Sequence, residues 1–154
     1  MAQSEAALAE TISRYHADQR RQGGWLELVA LLGDELCASV GEEDAEAFFR
    51  HVGSCLADRQ PLPSQGTLGE LEAALNRLLA EHDWGFCRLS AKSDAILIQH
   101  YELPSPRSPA PSWTRLSTAL LAGLFETWIN GQGGSARVTA LAEIEAGGRA
   151  FNYG

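Results

Sequence analysis

The sequence predicts an α+β fold: several N-terminal helices, then a β-hairpin, a helix and a second β-hairpin forming a small antiparallel sheet packed by helices. Three observations predict it. Apolar spacing is helical up to His82 and turns into a strand period after Trp84 and Gly85. Strand-like stretches come in adjacent pairs, 86–91 with 95–103 and 136–144 with 149–153, as antiparallel hairpins require. Strands do not alternate singly with helices, and no Gly-rich turn follows a first strand, which argues against a doubly wound parallel sheet.

Taken in order, residues 4–22 read as an amphipathic helix marked by Leu8, Ile12 and Tyr15. One short acidic stripe does not hold a helix in water, so this arm needs a neighbour. Gly23 and Gly24 break it. A stronger helix covers 25–40, with Trp25, Leu28, Val29, Leu32, Leu36 and Val40 as its inward face and Gly41 at its end. The next opens on Glu42, Glu43 and Asp44, which complement the positive end of the helix dipole. Its inward side is Ala45, Phe48, Phe49, Val52 and Leu56, and it stops before Pro61.

Thr67 and Glu70 form a capping box. Leu68, Leu71, Leu75, Leu78 and His82 then mark a narrow seam of the kind that packs on another helix. The strand 86–91 follows, and Lys92, Ser93 and Asp94 turn into the second strand. There Ile96, Ile98 and His100 face one way and Leu97, Gln99 and Tyr101 the other, so both sides are expected to be covered at the start of the strand. Residues 104–111 hold Pro104, Pro106, Pro109 and Pro111 and read as an extended surface loop. Ser112 is placed to cap a helix over 113–130, the most apolar in the chain, in which Gly123 admits a close neighbour. Gly131, Gly133 and Gly134 end it flexibly. In the last hairpin Val138, Ala140, Ala142 and Ile144 share one face, with the turn at 146–148.

The 154 residues suit a single domain, 1–154, with an N-terminal arm at 1–24 and the Pro-rich loop at 104–111. A net charge of −8 opposes phosphate backbones and anionic membrane surfaces. No apolar run is long enough to span a bilayer, so no membrane insertion is expected. The acidic, amphipathic start does not resemble a signal peptide, and Cys37, Cys55 and Cys87 make no disulfide framework. Both point to the cytoplasm rather than the periplasm.

No catalytic set emerges, and an enzyme is not expected. His16, His51, His82 and His100 lack metal-ligand spacing, and no nucleophile elbow occurs. The acids at 42–46 precede an apolar helix instead of forming a calcium loop. Neither metal nor cofactor is expected. Cys87 and His100 can meet across the first hairpin, but no third group orients them. The aromatic residues carry more. Trp84 and Trp128 read as core. Tyr15 and Trp25, around the Gly break, are candidates for stacking on sugar rings as well as for core or subunit contact.

The segment GELEAALNRLLAEHDWGFCRL, the YELP end of the hairpin and GLFETWINGQGG resemble the D-subunit family of bacterial cellulose synthase, an accessory protein of cellulose biosynthesis. The carrying positions are Leu71, Leu75, Leu78, Leu79, Trp84 and Gly85, then Leu121, Gly123, Leu124 and Trp128. The resemblance covers about residues 25–154 and rests on packing positions. It implies a non-catalytic scaffold of cellulose synthesis and export. Such a protein is expected to be a homo-octamer, a tetramer of dimers, with its N-terminal arms toward the inside, where glucan chains are thought to pass. It implies partnership with the cellulose synthase complex and a Pro-rich cellulose-synthesis protein. It places Tyr15 and Trp25 as expected glucan contacts. The alternative is a small acidic chaperone of the type III secretion kind, which would stop at a dimer and bind extended polypeptide. Either the Leu seam at 68–82 or the helix at 113–130 is expected to supply a symmetric dimer contact.

Overall fold

The structure, a computed structural model, describes residues 10–14, 24–144 and 148–154. Residues 10–14 are helical, with Arg14 paired to Glu10 at 2.9 Å. The rest of the expected arm, Tyr15 and His16 included, lies outside the described residues.

Helix α1 spans Gly24–Val40 and α2 spans Glu42–Arg59. One residue joins them. Gly41 takes φ 90°, a conformation that a side chain would strain. Helix α3, Leu68–Glu81, opens on the expected capping box. The Glu70 amide donates to Thr67 Oγ1 at 3.1 Å, and the Thr67 amide donates back to Glu70 Oε2 at 3.1 Å. The chain leaves α3 through Asp83 at φ 55° and Gly85 at φ 74°. A Cβ on Gly85 would lie 1.9 Å from the Tyr101 carbonyl oxygen, so this turn admits only glycine.

Strands β1 (Phe86–Ala91) and β2 (Ile96–Tyr101) pair antiparallel, and the Lys92 amide closes the turn on Ala95 O at 2.8 Å. Strand β2 ends where Glu102 adopts φ 60°, two residues before the expected limit. After the loop comes α4, Trp113–Asn130, then β3, Val138–Ile144, and β4, Gly148–Tyr153. The predicted 146–148 turn lies outside the described residues except for Gly148. The sheet order is β1-β2-β4-β3, with every neighbouring pair antiparallel. This is the expected α+β architecture, with helices packed on the sheet.

The main core lies between α3, α4 and the sheet face carrying Cys87, Ile98, Val138 and Phe151. Leu71, Leu75 and Leu79 enter it from α3, and Leu121, Leu124, Phe125 and Trp128 from α4. A satellite cluster of Ala45, Phe49, Leu116 and Ala119 joins α2 to α4. These two helices cross in backbone contact. A Cβ on Gly53 would meet Leu120 O at 2.0 Å, and one on Gly123 would meet Arg50 O at 2.0 Å. Gly123 was legible as a site of close approach; its counterpart Gly53 was not.

Side chains from helices bond to backbone groups on both edge strands of the sheet. Asn76 of α3 accepts the Cys87 amide at 2.7 Å and donates to the Cys87 carbonyl at 2.9 Å, as a neighbouring strand would. Glu72 accepts the Leu89 amide at 2.7 Å. At the other edge Glu126 accepts the Val138 amide and Arg50 donates to the Val138 carbonyl, both at 2.8 Å, while Arg50 and Glu126 pair with each other.

The structure corrects several expectations. The inward face of α1 is not the large apolar stripe: Ala30 and Gly33 are the buried residues, and Leu28, Val29, Leu32 and Val40 are exposed. The cause is the closeness of α1 to its neighbours, since a Cβ on Gly33 would lie 2.7 Å from Leu116 Cδ1. On α2, Phe48 and Val52 are likewise exposed. The Leu seam of α3 packs on β1 and the core, and α4 is buried along most of its length, so neither leaves an apolar face for a dimer contact. Ser112 makes no side-chain cap; its amide instead donates to Asp34 Oδ1 at 2.9 Å. Of the glycines after α4, Gly134 is closely held, a Cβ there falling 1.8 Å from the Tyr153 hydroxyl, whereas Gly133 has open space around it. Finally, a bulge between Ala140 and Glu143 interrupts the expected alternation on β3, and Leu97, Gln99 and Tyr101 keep partial exposure on the outer side of β2.

Candidate functional site

Two surface features stand out, and both involve α1. The first is a groove of about 460 Å³ between the start of α1, the α3–β1 turn and the loop 102–112. It brings together Trp25, Trp84 and Trp113, with Asp83, Ser105 and Arg107 on its rim. The loop is held down from α1. Glu27 accepts the amides of Arg107 and Ser108, the latter at 3.3 Å. The Arg107 amide is the main reason the Glu27 carboxyl lies below its ordinary range, since hydrogen bonds to the charged form favour it. Trp113 donates its indole N–H to Pro104 O at 3.2 Å, which fixes the ring against the loop. The His82 ring lies 5.0 Å from that of Trp84, and His82 Nε2 is 2.6 Å from Gln60 Oε1. Trp25 is 80% exposed.

Of the two residues singled out for sugar contact, Trp25 therefore stands on the groove, whereas Tyr15 lies outside the described residues. Trp128 is core, with its N–H on Gln60 O at 2.9 Å. Trp84 is only half buried and joins the groove. Periodicity could not show that convergence, because the three rings come from segments far apart in the chain.

The second feature is an apolar face. Leu28, Leu31 and Leu32 of α1 and Phe48 and Val52 of α2 are all exposed, with Leu31 at 56%, Leu32 at 58% and Phe48 at 54%. The two helices form a hairpin about Gly41, and Gly33 sits against the Phe49 ring, so Phe48 lies at the level of the leucines. Monomeric proteins rarely leave so many large apolar side chains on adjoining helices.

The sheet does bring Cys87 and His100 together as direct partners in the β1–β2 register. Both are buried. Burial, reinforced by the Glu72 carboxylate, pushes the Cys87 thiol up to about 12. Burial pulls His100 down to about 4, against the opposing effect of its bond to Trp84 O, and nearby Arg149 adds to the lowering. The thiol is thus held protonated and away from solvent, the reverse of an activated nucleophile. His100 Nε2 lies 2.8 Å from Trp84 O, so its ring ties β2 to the α3–β1 turn. Arg149 spends its guanidinium on Thr118 Oγ1 and Ser117 Oγ, both at 2.8 Å. Among the described residues no group of three or more His, Cys, Asp or Glu could hold a metal ion. Nor, among them, is any helix long and apolar enough to cross a membrane.

The structure is thus an α+β protein, helices packed on a four-stranded antiparallel sheet, with a tryptophan-lined groove and an exposed apolar face. The family model for the cellulose synthase D subunit matches residues 11–153. The chain is 34% identical over 106 residues to cellulose synthase operon protein D of Komagataeibacter xylinus, and equally to that of Komagataeibacter sucrofermentans. A further K. xylinus protein of that name is 35% identical over 104 residues. Each match spans 66% of this chain and 66% of the relative. The chain belongs to the cellulose synthase D-subunit family.

Proposed function

We propose that this chain is a non-catalytic accessory subunit of cellulose synthesis, acting with the cellulose synthase complex as a cytoplasmic scaffold that orders synthase complexes or nascent glucan chains. Family membership supports the process. The observation that carries the scaffold role is the uncovered apolar face of α1 and α2. Removing such a face from water stabilises by about 25 cal/mol per Å², so copies of the chain gain by covering it mutually. The assembly proposed is an octamer, a tetramer of dimers, with this face as one repeated contact in place of α3 or α4. Tyr15 and Trp25 are proposed to meet glucan on its way through, and a Pro-rich cellulose-synthesis protein is a proposed partner. The disarmed Cys87–His100 pair supports a role without bond-making chemistry.

The test is deletion in a cellulose-producing cell. Isolated membranes should still polymerise glucose from its activated donor, while the secreted product loses ribbon order and crystallinity. Complementation with a Leu31→Glu/Leu32→Glu variant should fail to restore that order. Loss of polymerisation in the isolated membranes would contradict a scaffold role.

A further inference from the structure

We infer that His51 and Cys55 of α2 form one half of a structural zinc site, completed by the same two residues of a second copy across a two-fold contact. The inference rests on the contact between copies proposed above for the apolar face of α1 and α2. It names the ion that holds that contact in register.

Cys87 and His100 are partners across the first hairpin, but both are buried and closed to an incoming ion. His51 and Cys55 are exposed. They stand one turn apart on α2, with Cys55 Sγ 3.4 Å from His51 Nε2. Neither side chain has another hydrogen-bond or ion-pair partner among the described residues. The buried residues of α2 are Ala45, Phe49, Gly53 and Ala57, so His51 and Cys55 point away from the chain's own core. Positions 48, 51, 52 and 55 fall within about 100° of arc on a helix of about 3.6 residues per turn. The pair is therefore set among the exposed Phe48 and Val52, on the face proposed to meet another copy.

The separation of the two side chains suits a tetrahedral ion. Zinc binds thiolate sulfur at about 2.3 Å and imidazole nitrogen at about 2.0–2.1 Å, which places the two ligand atoms about 3.6 Å apart. The observed 3.4 Å is close to that, so a small turn of both side chains suffices. A spacing of four residues is also how two ligands on one helix reach one metal ion. Among the described residues no third His, Cys, Asp or Glu completes a metal-holding group. One copy thus offers two ligands where a structural zinc takes four. A two-fold axis beside Cys55 doubles them to two sulfurs and two nitrogens.

Desolvation points the same way. Covering Phe48 and Val52 also removes the thiol and the imidazole between them from water, which opposes the contact unless they gain partners. Zinc supplies the partner. Two thiols release their protons to solvent, and the two thiolates balance the charge of the dication, so the closed site carries no net charge. Sulfur and nitrogen donors select zinc over calcium or magnesium, which take oxygen ligands.

The experiment titrates the full-length protein, stripped of metal with a chelator and kept reduced, with cobalt(II) and then zinc(II). Cobalt reports its ligands through thiolate charge-transfer absorption and the d–d bands of a tetrahedral site. The expected result is saturation at one metal per two copies, with both signals, and displacement of cobalt by zinc. Cys55→Ser and His51→Ala change exposed positions and should keep the wild-type circular dichroism. Cys55→Ser should abolish the charge-transfer signal, and each variant should weaken zinc binding by more than about a hundredfold. A cobalt spectrum without thiolate absorption, saturation at one metal per copy, or unchanged zinc affinity in Cys55→Ser would overturn the site. Copies that associate, lose that association in Leu31→Glu/Leu32→Glu and take up no metal would remove the site and leave the contact. Copies that stay single with and without zinc would remove the contact and the shared site together.

Discussion

Helices α4 and α1 are both rich in large apolar residues, and the fold treats them in opposite ways. In α4, Leu116, Leu121, Leu124, Phe125, Trp128 and Ile129 are all buried, wrapped by α2, the sheet and loops. In α1 only Ala30 and Gly33 are buried, while Leu28, Leu31 and Leu32 face outward. An apolar stripe shows which face of a helix gains by being covered. It does not say whether the cover is the same chain or another copy. Small residues carry the better information about contact inside one copy. Gly33, Gly53 and Gly123 mark where α1, α2 and α4 approach closely, because a side chain there would collide.

This contrast can be broken most severely at Gly123. Gly123→Leu should drive α4 off α2, because its Cβ would lie 2.0 Å from Arg50 O. The expected cost exceeds about 3 kcal/mol, read as a lowered urea midpoint or as insoluble protein. A midpoint within experimental error of wild type would show that the crossing is looser than described.

A comparable effect comes from acid. His100 is held neutral in the fold with its pKa lowered to about 4, so the unfolded chain binds more protons than the folded one between its ordinary value and that point. Stability should therefore fall as pH drops from about 6.5 to about 4, by up to about 3 kcal/mol. His100→Gln should flatten that limb of the pH–stability curve, and an unchanged slope would count against the burial of this imidazole.

Asn76→Ala tests the sealed edge of β1. It leaves the Cys87 amide and carbonyl without their partner, at about 2 kcal/mol by chemical denaturation. Thr67→Ala should cost about 1 kcal/mol by the same measurement, through loss of the α3 cap. Both changes act within one copy of the chain and should leave its association unaltered.

How legible these regions were depends on the range of the interactions. Local chemistry was readable: the Thr67–Glu70 box, the Lys92–Asp94 turn, the paired strands and the Gly85 break each follow from neighbouring residues. The family could be read as well, because its positions at Leu71, Leu75, Trp84, Gly123 and Trp128 are packing positions. Facts that join distant segments were not readable. Asn76 seals a strand eleven residues on, and Asp34 replaces the expected Ser112 cap from seventy-eight residues away. The groove depends on Trp25, Trp84 and Trp113 meeting, and nothing in the spacing of those residues predicts the meeting. The inward face assigned to α1 failed for the same reason: periodicity located the apolar side, and packing turned that side outward.

The most direct measurement is the mass of the purified chain in solution by light scattering, at micromolar concentration. One copy weighs 16.6 kDa. The account predicts a particle of about eight copies, reduced to smaller species by Leu31→Glu/Leu32→Glu with the helical circular dichroism preserved. A wild-type particle with the mass of a single copy, or a double variant that assembles as the wild type does, would contradict it.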